Sequence, residues 1–234
     1  MFVLLLTPPR RRPAGDLVTP LAEALAHLPV RGPERTIGQD AIVLADRADH
    51  AVQAMLTIQE VGTWRVGLGI GALYDPTAIT PSDTTPSDTE PSSTTPSAPM
   101  PRPLANLRAV QEIRAVEGPA LNAALEALRA ATVTAQVPLA VRAADARQEE
   151  NAADAEAVLR LIGWMIRSRS PGQWKVVRAL REQPRATQQQ LAQHLGVTQQ
   201  TVSRSLQTSG WREESAAHPL LVRLLSMIDL TSGH

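Results

Sequence analysis

Apolar and polar positions follow two patterns along the chain. Up to about residue 143, short apolar runs alternate with helical periodicities; from about residue 152 the periodicity is helical throughout. Phe2 to Leu6 is a continuous apolar run and predicts a buried strand, followed by a loop of prolines and Arg10, Arg11 and Arg12. Thr19 with Pro20 after it predicts a helix start, and Leu21, Leu25 and Leu28 share one face. After a break at Pro29 to Pro33, residues 34–44 predict strand, turn and strand around Gly38-Gln39-Asp40. Asp46 opens a helix to about Glu60, with Ala48, Val52, Met55 and Leu56 inward and Gly62 at its end. Residues 64–73 (WRVGLGIGAL) predict a strand with glycines at alternate positions. A helix from Gly118-Pro119 to about Ala131, with Leu121, Leu125 and Leu128 inward, and a strand over residues 137–141 close this half. Strand, helix, hairpin, helix, strand, helix, strand predicts an α+β sandwich, with helices on one face of an antiparallel sheet.

Between the strand at 64–73 and the helix that starts at Gly118-Pro119 lies a different composition. Pro76, Pro81, Pro86, Pro91 and Pro96 recur every five residues, in units such as PSDTT. A run of this kind cannot bury enough apolar surface to order itself, so residues 75–103 are expected to form a disordered surface insert. Leu107, Val110, Ile113 and Val116 fit a short helix or an irregular strand. Residues 144–151 are polar and charged and are expected to be a hinge, giving domains at 1–143 and 152–234.

The second half carries the sharpest local signals. Residues 152–169 predict a helix with Val158, Leu159, Ile162, Met165 and Ile166 inward. Ser170-Pro171-Gly172-Gln173 has the form of a capping box with Pro at the first helical position. Trp174, Val177 and Leu180 form the inner face of the helix that follows. Thr187 and Gln190 make a second capping box, Gly196 stands where a left-handed helix end is needed, and Thr198 caps a further helix over 199–207. Leu191, Ala192, Leu195, Val202 and Leu206 face inward, and Val197 is expected to plug the turn. His218 to Leu230 predicts a terminal helix broken or begun at Pro219, and no alternating strand pair follows Trp211. Two short helices joined by a Gly-containing turn resemble the helix-turn-helix of DNA-binding proteins.

Charge and composition sharpen this picture in places. The net formal charge is zero, but residues 151–234 carry 10 Lys and Arg against 6 Asp and Glu, and the first 150 carry 13 against 17. The positive excess therefore lies in the half with the paired helices, where a nucleic-acid contact needs it. There is no cysteine, which excludes disulfides, thiol nucleophiles and thiolate metal sites. The run MFVLLL is too short for a signal-peptide core, and no apolar run approaches membrane-spanning length, so a soluble cytoplasmic protein with no membrane partner is expected. Gly67, Gly69 and Ala72 match a dinucleotide fingerprint by letter, but they run on as a strand rather than opening a helix. The five histidines show no ligand spacing, and neither a nucleophile elbow nor a phosphate loop is present. No cofactor, metal or catalytic residue is expected.

The hairpin GQDAIVL, the strand WRVGLGIG and the helix EGPALNAALEAL together resemble a degenerate nucleotidyl-cyclase-like, ferredoxin-like domain. Joined to a helix-turn-helix introduced by PGQWKVVRAL, the whole chain outside the insert resembles the SatD family. Bacterial proteins of that kind are often labelled helix-turn-helix or MarR-type transcriptional regulators. The resemblance implies a cyclase-like fold, yet cyclases hold two metal ions with carboxylates on the first strand and in the hairpin. Asp40 matches the hairpin position, and Leu5-Leu6-Thr7-Pro8 offers no second acid, so the domain is expected to be non-catalytic and to serve dimerisation or ligand sensing.

The expected partners are double-stranded DNA, a second copy of the chain and an unidentified small-molecule effector. Thr198, Gln199, Gln200, Ser203, Arg204 and Gln207 fall on the outer face of the 199–207 helix. Gln pairs bidentately with adenine and Arg with guanine in the major groove. Arg178, Arg181, Arg185 and the helix start at Thr187 are expected to position the protein on phosphates. Two other classes stay open: a nucleotide-binding or nucleotide-converting enzyme with a regulatory helix-turn-helix, and a helix-turn-helix used for protein contacts.

Overall fold

In the computed structural model the central strand of the first half is the apolar run at the N-terminus. The structure describes residues 1–8, 15–36, 38, 40–62, 64–74, 117–131 and 135–231. β1 (Phe2–Thr7), β2 (Arg31–Arg35), β3 (Ala41–Ala45), β4 (Arg65–Ile70) and β5 (Leu139–Ala143) form one sheet in the order β2-β3-β1-β4-β5. β1 runs antiparallel to both β3 and β4, and β2 to β3, whereas β5 runs parallel to β4. The expected all-antiparallel sheet is corrected at this last strand. A helical crossover between β4 and β5 makes them parallel, as such a connection does.

Helices cover both faces, where the sequence pattern predicts one. Phe2, Leu4 and Leu6 pack with α1 (Val18–Leu25), α2 (Ala48–Val61), α4 (Glu149–Ser168) and α8 (Trp211–Thr231). Val3, Leu5, Ile42 and Leu44 point the other way and meet α3 (Pro119–Ala130). α3 turns Ala120, Ala123, Ala124 and Ala127 fully inward, with Leu121 and Leu128 partly buried against the same cluster, while Leu125, expected inward, is 38% exposed. The glycines of β4 supply the reason. A Cβ on Gly69 would stand 2.1 Å from the carbonyl oxygen of Ala120, and one on Gly67 would stand 2.4 Å from that of Ala124. Strand and helix meet backbone to backbone, and only an alanine face fits. The alternate glycines therefore serve packing, not a pyrophosphate.

α1 is opened by Asp16, whose carboxylate accepts the Val18 N–H (2.9 Å) and the Thr19 hydroxyl (2.6 Å), and Thr19 lies inside the helix. The turn between β2 and β3 carries Gly38 and Asp40 as expected, with β2 beginning earlier, at Arg31. Residues 146–148 form a short 3-10 turn that leads straight into α4 at Glu149. The apolar core does not end at the expected hinge. Ala152, Ala155, Leu159, Ile162 and Ile166 of α4 and Leu221, Leu225 and Ile228 of α8 belong to the cluster under the sheet. α8 begins at Trp211 and passes through Pro219, in place of a helix begun or broken there. The insert at 75–103 and the apolar positions at 104–116 lie outside the described residues. Their flanks are pinned together by an isolated antiparallel bridge between Tyr74 and Glu117, with the Tyr74 N–H donating to the Glu117 carbonyl at 2.8 Å.

The open edge of β5 is closed by side chains. Glu156 of α4 accepts the Val141 N–H at 2.9 Å, and Arg160 donates to the Leu139 carbonyl at 3.0 Å. Arg142 and Arg160 both pair with the same carboxylate, at 3.1 and 3.2 Å. An edge strand dressed in this way offers few groups to a foreign strand.

Candidate nucleic-acid interface

Three helices with a small apolar core of their own build the candidate site. α5 (Pro171–Glu182), α6 (Gln188–Leu195) and α7 (Gln199–Thr208) bury Val176, Ala179, Leu191, Ala192, Val202 and Leu206 against one another. Both capping boxes form. Ser170 and Gln173 exchange hydrogen bonds at the start of α5, and Thr187 and Gln190 do so at the start of α6. Each satisfies helix-end N–H groups that nothing within the helix can reach. Gly196 ends α6 with φ +64°, a left-handed value that costs a residue with a Cβ about 1–2 kcal/mol. The Thr198 hydroxyl accepts the Thr201 N–H at 3.2 Å and starts α7. Val197 does not plug the turn as expected. It is 41% exposed, because Gly196 turns the chain outward before α7 begins.

With Val202 and Leu206 inward, the opposite face of α7 is wet. Thr198, Gln199, Gln200, Arg204 and Gln207 are exposed and Ser203 is half-buried. Arg185 is exposed in the turn before α6, next to the Thr187 cap. The unit from Ser168 to Thr208 carries Arg169, Lys175, Arg178, Arg181, Arg185 and Arg204 against the single acid Glu182.

Arg178 and Arg181 lie elsewhere than expected. Their spacing of three puts them on one face of α5, and that face meets the end of α2. Glu60 accepts Arg178 Nε at 2.7 Å and Arg181 Nη1 at 2.6 Å. Arg181 Nη2 pairs in addition with Glu214 of α8 at 2.8 Å. Arg169, fully buried, pairs with Glu214 at 2.5 Å and donates to the Ser209 carbonyl at 2.7 Å. The rings of Trp174 and Trp211 lie beneath these cations. Arg169, Arg178 and Arg181 stand 4.9, 5.3 and 5.7 Å from the Trp174 centroid, and Arg181 stands 5.3 Å from that of Trp211. Two of the three arginines expected on phosphates are thus tied to the α+β body in this structure. Sequence reasoning missed Glu60, Glu214 and Arg169, whose partners stand 33 to 121 residues away and leave no local pattern.

A cavity of about 470 Å³ opens beside this joint, walled by Leu28, Leu56, Arg181, Trp211, Glu214 and His218 among others. Among the described residues no group of three His, Asp or Glu is placed to hold a metal ion. No helix among them is long and apolar enough to cross a membrane.

A short helix pair with a left-handed glycine turn, a separate small core and a polar outer helix face defines the class of helix-turn-helix domains. A family model described as MarR family matches residues 168–208, the same stretch that this small core delimits. The match makes this part of the chain similar to the helix-turn-helix of MarR-type proteins and points to a DNA-binding transcriptional regulator. It covers less than a fifth of the chain, so the α+β body stands outside it. No curated protein and no solved structure matches the chain.

Proposed function

We propose that the protein is a sequence-specific DNA-binding transcriptional regulator in which α7 enters the major groove. The observation that carries this reading is the division of α7 into a buried apolar side and an exposed side of Gln199, Gln200, Arg204 and Gln207. Gln199, Gln200, Ser203 and Arg204 read base edges, with Thr198 and Gln207 at the margins. Arg185 and the start of α6 at Thr187 hold phosphates.

The body is a non-catalytic, SatD-like and cyclase-like domain in this proposal. The order β2-β3-β1-β4 with antiparallel neighbours supports a ferredoxin-like arrangement. β1 carries no carboxylate to join Asp40 in holding metal ions. The protein acts as a dimer on half-sites about 34 Å apart, one helical turn. Exposed Leu161 and Trp164 on α4 and Leu220 on α8 offer apolar surface for a second copy. The cavity beside Trp211 is the place for an effector. Work in the cytoplasm follows from the same reading.

Selection of bound sequences from random duplex DNA at two salt concentrations tests the proposal. An enriched, two-fold symmetric motif whose binding falls steeply with salt supports it. No enrichment, with salt-insensitive binding, overturns it in favour of a protein-contact role. Within an enriched motif, Arg204→Ala is expected to cost about 1–3 kcal/mol and to relax the preference at one position.

A further inference from the structure

The helix-turn-helix unit and the body have separate apolar cores, which meet through Trp174 and Trp211, and ion pairs tie the two together around these rings. That joint has two tiers. Arg169 and Glu214 are buried, at 0% and 4% side-chain exposure, and burial shields such a pair from salt. Arg178 and Glu60 are 58% and 13% exposed, and a pair open to solvent on one side exchanges partners at little cost. Glu60 also carries the nearer half of Arg181. Three of the six cations of the 168–208 unit are therefore matched by acids from outside it, Glu60 on α2 and Glu214 on α8.

Binding strength to nucleic acid depends on how many cations are free to replace counterions on phosphate. Glu60 competes for the same guanidiniums that a phosphate backbone attracts. We infer that Glu60 is an autoinhibitory clasp: its carboxylate withholds Arg178 and Arg181 from DNA and presses the helix-turn-helix onto the end of α2. The buried Arg169–Glu214 pair remains as the pivot when the clasp opens. The inference rests on the DNA-binding reading above and adds to it the means by which the body restrains the unit.

The test is Glu60→Gln in the full-length protein, with affinity for a fixed DNA duplex measured against salt. Loss of the carboxylate is expected to raise affinity about three- to ten-fold near 0.1 M salt. The slope of log affinity against log salt is expected to steepen by about one to two units, since each engaged phosphate contributes about 0.9. In an Arg178→Ala/Arg181→Ala background the same change is expected to gain nothing. A structural role alone moves neither the slope nor its dependence on that background. Wild-type thermal unfolding beside each variant separates misfolding from altered binding. Unchanged or weaker binding by a folded Glu60→Gln variant overturns the clasp while DNA binding stands. A wild type without salt-dependent DNA affinity overturns the DNA-binding reading and the clasp with it.

Discussion

Gly69 and Gly196 are both required to be glycine, for opposite reasons. At Gly196 there is open space around an added Cβ, and only the left-handed backbone resists it. Gly196→Ala is expected to lower stability by about 1 kcal/mol in urea unfolding, and Gly196→Asn less, because Asn tolerates this conformation. At Gly69 the backbone is ordinary and space is absent, with the Ala120 carbonyl 2.1 Å from where a Cβ would sit. Gly69→Ala is expected to cost more than about 3 kcal/mol or to prevent folding, since neither strand nor helix backbone can yield. Asp16 gives a residue-scale dependence on pH. The Thr19 hydroxyl, then the Val18 N–H and the Arg35 guanidinium, hold its carboxyl down to about 2. A carboxylate with a depressed folded value stabilises above its unfolded value and loses that contribution as pH falls through the folded one. The advantage of the wild type over Asp16→Asn is therefore expected to be present at neutral pH. It should fade between about pH 4 and pH 2, read by urea unfolding across that range.

Elements were legible where their signals lie within three or four residues. Both capping boxes, the Thr198 cap and the Gly196 turn appear where the sequence placed them. Signals that depend on a distant partner were misread. The inner face of α3 is set by glycines some fifty residues earlier, so alanines fill its centre, Leu121 and Leu128 lie at its margin, and Leu125 turns out to solvent. α8 runs through Pro219 because buried Glu214 on one side and Leu221, Leu225 and Ile228 on the other fasten it. Arg178 and Arg181 carried no mark of Glu60, which pairs with both in this structure. The edge of β5 shows the same dependence. Glu156→Ala is expected to leave the Val141 N–H and two guanidiniums without their acid, at a cost of about 1–3 kcal/mol. Faster aggregation on heating, followed by light scattering, should accompany it.

At the scale of the molecule, the body and the helix-turn-helix communicate through few side chains. The order of strands and the position of the small core decide which surfaces meet. The bridge between Tyr74 and Glu117 has a consequence of another kind. It closes the path from β4 to α3 whatever lies between, and closing a longer excursion adds only about 0.6 kcal/mol per doubling of its length. That span is in effect a socket. Residues 77–103, whose composition predicts a surface insert, should be exchangeable for a short glycine-serine linker or for a whole reporter domain, with the thermal midpoint shifting by no more than a few degrees. The chain could then be labelled, tethered or fused in its interior while both termini and the outer face of α7 stay as they are.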